Sequence, residues 1–142
     1  SGMLRTFALM YGENPDNITT LETGDDAAAQ IMGGNWRIPT QTEFEELIEG
    51  TNNQWVTNYN GIGVNGRKFT SKTDTSKYIF IPAAGFCTNG SVNYVDIDGD
   101  VWCSSLDPSH PDYAWSLCFN SGGCCMGYAY RYDGRVVRGV MK

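Results

Sequence analysis

Gly33-Gly34-Asn35-Trp36-Arg37-Ile38-Pro39-Thr40-Gln41-Thr42-Glu43-Phe44-Glu45-Glu46-Leu47-Ile48-Glu49-Gly50 carries the clearest structural punctuation in the chain. Thr40-Gln41-Thr42-Glu43 is a capping box, in which a threonine oxygen takes the amide three residues on and the glutamate reaches back. Phe44, Leu47 and Ile48 follow at i, i+3, i+4 spacing, so one face of the helix is buried, and Gly50 supplies a stop. Pro39 stands just outside the cap, where its fixed φ aims the chain into the helix. Upstream, Asp25-Asp26 open a shorter helical stretch, DDAAAQIM. Its acidic start suits the positive end of the helix dipole, and Gly33-Gly34 end it. Before that helix, RTFALMY over residues 5–11 reads as a strand, followed by a polar loop through Pro15 and Gly24.

After Gly50 the period shortens to two. Strands are predicted over Gln54–Thr57, Arg67–Thr70, Lys77–Ile81, Val101–Ser104, Tyr113–Phe119, Gly127–Tyr132 and Arg135–Val140. The segments Cys87 to Leu106 and Ser121 to Met126 are rich in Gly, Asn, Ser and Asp, which predicts long surface loops. Helices first and strands later favour an α+β fold with a mixed, mainly antiparallel sheet over an alternating parallel one. No internal repeat or linker divides residues 1–142, and 15.7 kDa fits one domain.

Charge narrows the partners. A net charge of −6 and a pI near 4.6, with ten Lys and Arg spread thinly, exclude a basic stripe for nucleic acid or anionic lipid. The longest apolar stretch, Ile79 to Phe86, is broken by Pro82 and too short to span or insert into a bilayer. Ser1-Gly2 before Met3 reads as an expression scar, and any export signal is expected from a removed or upstream segment. The five cysteines, Cys87, Cys103, Cys118, Cys124 and Cys125, match neither a zinc knuckle nor an evenly paired disulfide ladder. The sharpest compositional feature is a gap. The 64 residues between Lys77 and Lys142 contain no Lys, Glu or Gln, whereas the first 77 contain twelve. Ordinary usage would place roughly ten in such a stretch.

Ala27-Ala28, the Gly33-to-Thr40 run ending in WRIPT, Glu43 to Leu47, Phe80-Ile81-Pro82-Ala83-Ala84-Gly85, Trp102-Cys103-Ser104-Ser105, Ala114-Trp115 and Val137-Arg138 occur in that order. Together they resemble bacterial C-type-lectin-like domains of the major-paralogous-domain type, over roughly residues 19–142. The chain departs from that pattern near its end, where Val136-Val137-Arg138-Gly139-Val140 lacks the usual proline. The resemblance implies a C-type-lectin-like fold and a binding scaffold more than an enzyme, and neither a cofactor nor a metal is expected. Some such domains are variable proteins of diversity-generating retroelements, in which adenines of asparagine codons are randomised. That process yields most residue types but never Lys, Glu, Gln, Met or Trp. Residues 87–135 look like its output: their charges are only Asp and Arg, and all five cysteines lie in this half. Met126, Trp102 and Trp115 would then be invariant scaffold positions.

Chemistry points to recognition in the same segment. Tyr94, Tyr113, Tyr128, Tyr130 and Tyr132 among Ser, Gly, Asn and Asp have the make-up of a paratope, where rigid aromatics bury area at low entropic cost. Any one tyrosine fits strand packing equally well, but Tyr128, Tyr130 and Tyr132 share one strand face and form a common patch. The candidate ligand-binding residues are Tyr94, Asp96, Asp98, Asp100, Asp107, His110, Asp112, Tyr113, Ser116, Cys118, Cys124, Cys125, Gly127, Tyr128, Ala129, Tyr130, Asp133 and Arg135.

Other chemistries fit less well. Asp96-Ile97-Asp98-Gly99-Asp100 spaces its oxygens as calcium prefers, but an EF-hand needs glycine where Val101 stands. His110, between Pro108 and Pro111, reads as an exposed loop residue rather than a base for a cysteine nucleophile. The formylglycine-generating enzyme, a relative of this fold, uses a redox-active cysteine pair whose spacing is not reproduced here. Arg37 and Arg138 are read as scaffold donors, and the four tryptophans mainly as core. The expectation is a domain at the cell surface, outside the cell or on a phage virion. It would bind a protein or surface glycan through residues 87–135. A fixed-specificity adhesin or carbohydrate-binding domain stands second, and a formylglycine-type enzyme third.

Overall fold

A computed structural model describes residues 18–107, 109–110 and 112–142, so the strand expected over 5–11 lies outside the described residues. The first helix, α1, is Ala27–Met32. It starts later than the acidic run because Asp26 serves as its cap. One carboxylate oxygen accepts the Ala28 and Ala29 amides at 2.8 and 3.0 Å, and the other accepts the Ile38 amide at 2.8 Å. The chain then forms the short strand β1, Trp36–Arg37, and enters α2, Gln41–Gly50.

Both arms of the capping box are made. The Glu43 amide donates to the Thr40 hydroxyl at 3.3 Å, and the Thr40 amide donates to the Glu43 carboxylate at 2.9 Å. Arg37 grips the same carboxylate with two guanidinium nitrogens at 2.6 and 2.5 Å, which ties β1 to the helix. Gly50 belongs to the helix, and the stop comes at Thr51, where the backbone turns extended and runs directly into β2, Thr51–Val56.

The strands β2, β3 (Gly66–Ser71) and β4 (Tyr78–Pro82) form one antiparallel sheet. A small hairpin follows, of β5 (Phe86–Thr88) and β6 (Ser91–Asn93). The longest strands, β7 (Gly99–Leu106), β8 (Tyr113–Asn120) and β9 (Gly123–Tyr130), form a second three-stranded antiparallel sheet. Finally β10, Val140–Met141, pairs with β1 and brings the C-terminal segment back beside α1. The fold is α+β and mostly antiparallel; among the described residues the parallel contacts are single bridges at Gly85–Gly99 and Val101–Val136. Among the described residues no helix is long and apolar enough to cross a membrane.

Phe44 of α2 meets Phe69 and Ile81 of the first sheet and Val101, Cys103, Leu117 and Phe119 of the second in one buried cluster. Phe69 and Phe119 pack edge to face at 6.5 Å, and the Phe119 ring occupies the space a side chain at Gly99 would need. Leu47, Ile48, Trp55 and Trp115 pack against this core, as the helical spacing and the tryptophan assignment predict. Trp36 and Trp102 are exceptions: Trp36 lies in β1 opposite Met141, and Trp102 lies beside the Arg135 guanidinium on the other face of β7.

The expected loop from Cys87 to Leu106 is mostly strand, and Val101 and Cys103 of β7 are among the most buried residues. Its Gly, Asp and Ser content reads as turn, but pairing with β8 and burial of alternate side chains outweigh that local preference. The loop expected over Ser121 to Met126 shrinks to the two-residue turn Ser121-Gly122, because Asn120 already pairs with Gly123. The expected strand over Arg135–Val140 reduces to a bridge at Val136 and the short β10.

Candidate functional site

The register of β8 against β9 decides which side chains meet. Phe119 lies opposite Cys124, Leu117 opposite Met126, Trp115 opposite Tyr128 and Tyr113 opposite Tyr130. Directly paired residues share a face, so this row runs from the core at Phe119 out to the surface at Tyr130. At its outer end the aromatic rings form a continuous crest. Tyr113 meets Tyr130 at 4.4 Å and Tyr128 at 5.3 Å, Tyr128 stands edge-on to Trp115 at 6.0 Å, and Tyr130 stacks on Tyr132 at 4.9 Å. Tyr128 is 62% exposed and Tyr132 63%, while Tyr113 is half-buried beneath them.

The Tyr113 phenol is pushed up to about 12, chiefly by its hydrogen bond with Tyr130, so Tyr113 stays neutral at ordinary pH. His110 lies edge-on to Tyr113 at 6.0 Å, and its Nδ1 sits 3.0 Å from the Asp107 carboxylate. The Ser109 amide is the main reason that carboxyl stays below its usual range, with His110 helping. Asp112 contributes backbone here, its carbonyl accepting the Arg131 amide at 2.9 Å.

The remaining candidates face other directions. Asp100, Ser116, Cys118, Cys125, Gly127 and Ala129 occupy the opposite row of the same sheet. There the Arg135 guanidinium is buried, with Nε 3.2 Å from Asp100 and Nη2 3.5 Å from Asp133. Its plane lies 4.8 Å from the Phe86 ring and 5.4 Å from that of Trp102. Burial raises the Asp100 carboxyl despite the opposing pull of Arg135. Asp133, Arg135 and Asp100 therefore act inside the fold, as a charge triad. Ser116 and Ala129 are buried and offer no surface to a ligand, because strand alternation turns them to the side of the sheet opposite the crest, where they are covered. Cys124 faces inward against the core, its thiol donating to the Asn53 side chain at 3.2 Å, so it is not a surface contact either.

Tyr94, Asp96 and Asp98 follow β6. Tyr94 is exposed and stacks on Phe86 at 5.4 Å, in a left-handed backbone conformation (φ 60°) that is costly for a bulky residue. Asp96 accepts the Asn65 amide at 3.0 Å, whereas Asp100 faces Arg135, so the alternating carboxylates do not converge. Among the described residues no three His, Cys, Asp or Glu side chains are placed to hold a metal ion.

Sequence reasoning missed two features. Trp115 is core at its base yet also supports the crest through Tyr128, which spacing alone does not reveal. A cleft of about 340 Å³ lies on the other side, lined by Leu21, Ile38, Trp102, Ala114, Val137 and others, with Asp25, Arg131 and Asp133 among its charged residues. Its walls come from distant stretches of chain, and no local signal marks it.

Comparison of the chain with protein-family models, curated proteins and solved structures finds no match. Function therefore rests on the residues and their geometry.

Proposed function

We propose that this domain is a ligand-recognition module on a C-type-lectin-like scaffold, displayed at a cell surface or on a phage virion. The observation that carries the reading is the aromatic crest of Tyr113, Tyr128, Tyr130 and Tyr132, in which stacked rings remain largely open to solvent at the edge of a rigid sheet. Tyrosines held by one another lose little entropy on binding, and each offers an apolar face with a hydroxyl at its rim, suited to a protein or surface-glycan ligand.

Two further observations support the reading. Met126 and Trp115 pack toward the core, as scaffold positions of a retroelement-diversified variable protein would, while Tyr128 and Tyr130 of the same strands face out. Burial pushes the thiols of Cys103 and Cys118 up to about 12 and about 11, away from the activated state a thiol-based enzyme requires. Binding without covalent chemistry fits these residues better than a formylglycine-type reaction.

The test is the DNA around the gene. A variable protein of this kind requires a neighbouring reverse transcriptase and a near-repeat of the region encoding residues 87–135 that differs only at adenines. With that repeat absent, the diversification reading fails and a fixed-specificity adhesin or carbohydrate-binding domain takes its place.

A further inference from the structure

We propose that Cys118 and Cys125 form a reversible cross-strand disulfide on the face of the β7–β8–β9 sheet that carries Asp100 and Arg135, made by exchange with a low-molecular-weight disulfide such as oxidised glutathione. All five cysteines are free thiols in this structure. Cys118 lies directly opposite Cys125 in the β8–β9 register. Residues directly opposite in an antiparallel pair have Cα atoms about 4.5–5.5 Å apart, within the roughly 4.4–6.8 Å that a disulfide spans. Alternation also selects the pair. Cys124, one residue away, turns to the core and to Asn53, and Cys103 is buried on the core side of β7.

Each thiol has a distinct part in the exchange. Cys125 is exposed and meets the incoming disulfide first. Its thiolate attacks one glutathione sulfur, which forms a mixed disulfide on Cys125 and expels one glutathione thiolate. The Cys118 thiolate then attacks the Cys125 sulfur and releases the second glutathione. Two protein thiols are oxidised, one glutathione disulfide is reduced to two thiols, and the two protons pass to the released glutathiones. In the reduced protein Cys118 has other polar neighbours on its face of the sheet. Its sulfur is 3.3 Å from the Ser116 hydroxyl and 3.7 Å from the Asp100 carboxylate, and it fills the space that a side chain at Gly127 would take. Burial pushes the Cys118 thiol up to about 11, so closure is favoured at alkaline pH, where more of it is thiolate.

The loop that the bond closes is short and already hydrogen-bonded, so its entropic stabilisation is small and the bond serves as a redox-responsive modification more than a staple. The inference is independent of what the crest binds.

The full chain, reduced and then treated with oxidised glutathione at pH 8.5, should pass through a glutathione adduct on Cys125 and end as a monomer lighter by two hydrogens. Peptide mapping should join Cys118 to Cys125. Cys124→Ser should keep the bond, Cys125→Ser should lose it, and Cys118→Ser should stop at the adduct. A bond to Cys124 or Cys87, a disulfide-linked dimer, or a wild-type protein that stops at the adduct would each overturn the proposal.

Discussion

Along β9, Cys124, Met126, Tyr128 and Tyr130 point to one side and Cys125, Gly127 and Ala129 to the other, and the two rows face different surroundings. The first row changes gradually, from core packing at Met126 to the open crest at Tyr130. The second is made of small residues, and it belongs to the face that carries the triad of Arg135, Asp100 and Asp133. One stretch of chain therefore serves a hydrophobic core, an aromatic display and a buried charge cluster. The separation comes from the two-residue period of the strand and not from any division along the sequence.

The contrast can be broken at its inner end first. Leu117→Ala removes a fully buried side chain and should cost about 3–4 kcal/mol in urea denaturation. A loss below about 1 kcal/mol would mean that the row is not the core.

On the opposite row, Arg135→Ala leaves Asp100 and Asp133 without their cation and should cost about 3 kcal/mol at pH 7. The deficit should shrink in acid. The folded-state carboxyl of Asp100 is raised, so its ionisation destabilises the fold as pH rises, and protonation removes the need for a partner. Denaturation at pH 4 and pH 7 checks the sign; a deficit that grows in acid would contradict it.

A smaller effect is expected at the capping box. Arg37 is the main reason the Glu43 carboxyl lies near 2, below its ordinary 4.5. A depressed acid stabilises the fold above its unfolded-state value, and that contribution disappears as pH falls from about 4.5 toward 2. Because the side chain is partly exposed, screening leaves about 1 kcal/mol. Glu43→Gln keeps the cap but loses the charge pair, so its stability should vary less over that window than that of the wild type.

The smallest change in stability belongs to the crest. Combined Tyr128→Ser, Tyr130→Ser and Tyr132→Ser should shift Tm by no more than about 2 °C while abolishing binding to any ligand the wild-type domain captures. Unfolding of this variant would assign the crest to the core.

Local signals account for much of the fold. The capping box, the i, i+3, i+4 spacing of Phe44, Leu47 and Ile48, and the alternation in β3, β4 and β8 were all legible, because each is a short-range pattern with one structural solution. Of β7 only the centre, Val101–Ser104, was legible, since Gly99-Asp100 read as turn until pairing with Phe119 and Cys118 of β8 extends the strand. At the candidate site, the shared face of Tyr128 and Tyr130 followed from strand period. The removal of Ser116, Ala129 and Cys124 from the surface did not, because burial depends on what covers each face.

By itself the sequence determined the α+β order, the capped helix and the placing of all five cysteines and most tyrosines in the second half of the chain. Propensity, capping and alternation act within a few residues and are written locally. Only the tertiary structure decided that Tyr113 lies beneath Tyr128 and Tyr130, that Arg135 is enclosed by Asp100 and Asp133, and that Cys118 faces Cys125. Those contacts depend on cross-strand register and on packing between residues far apart in the chain, and no local pattern specifies either.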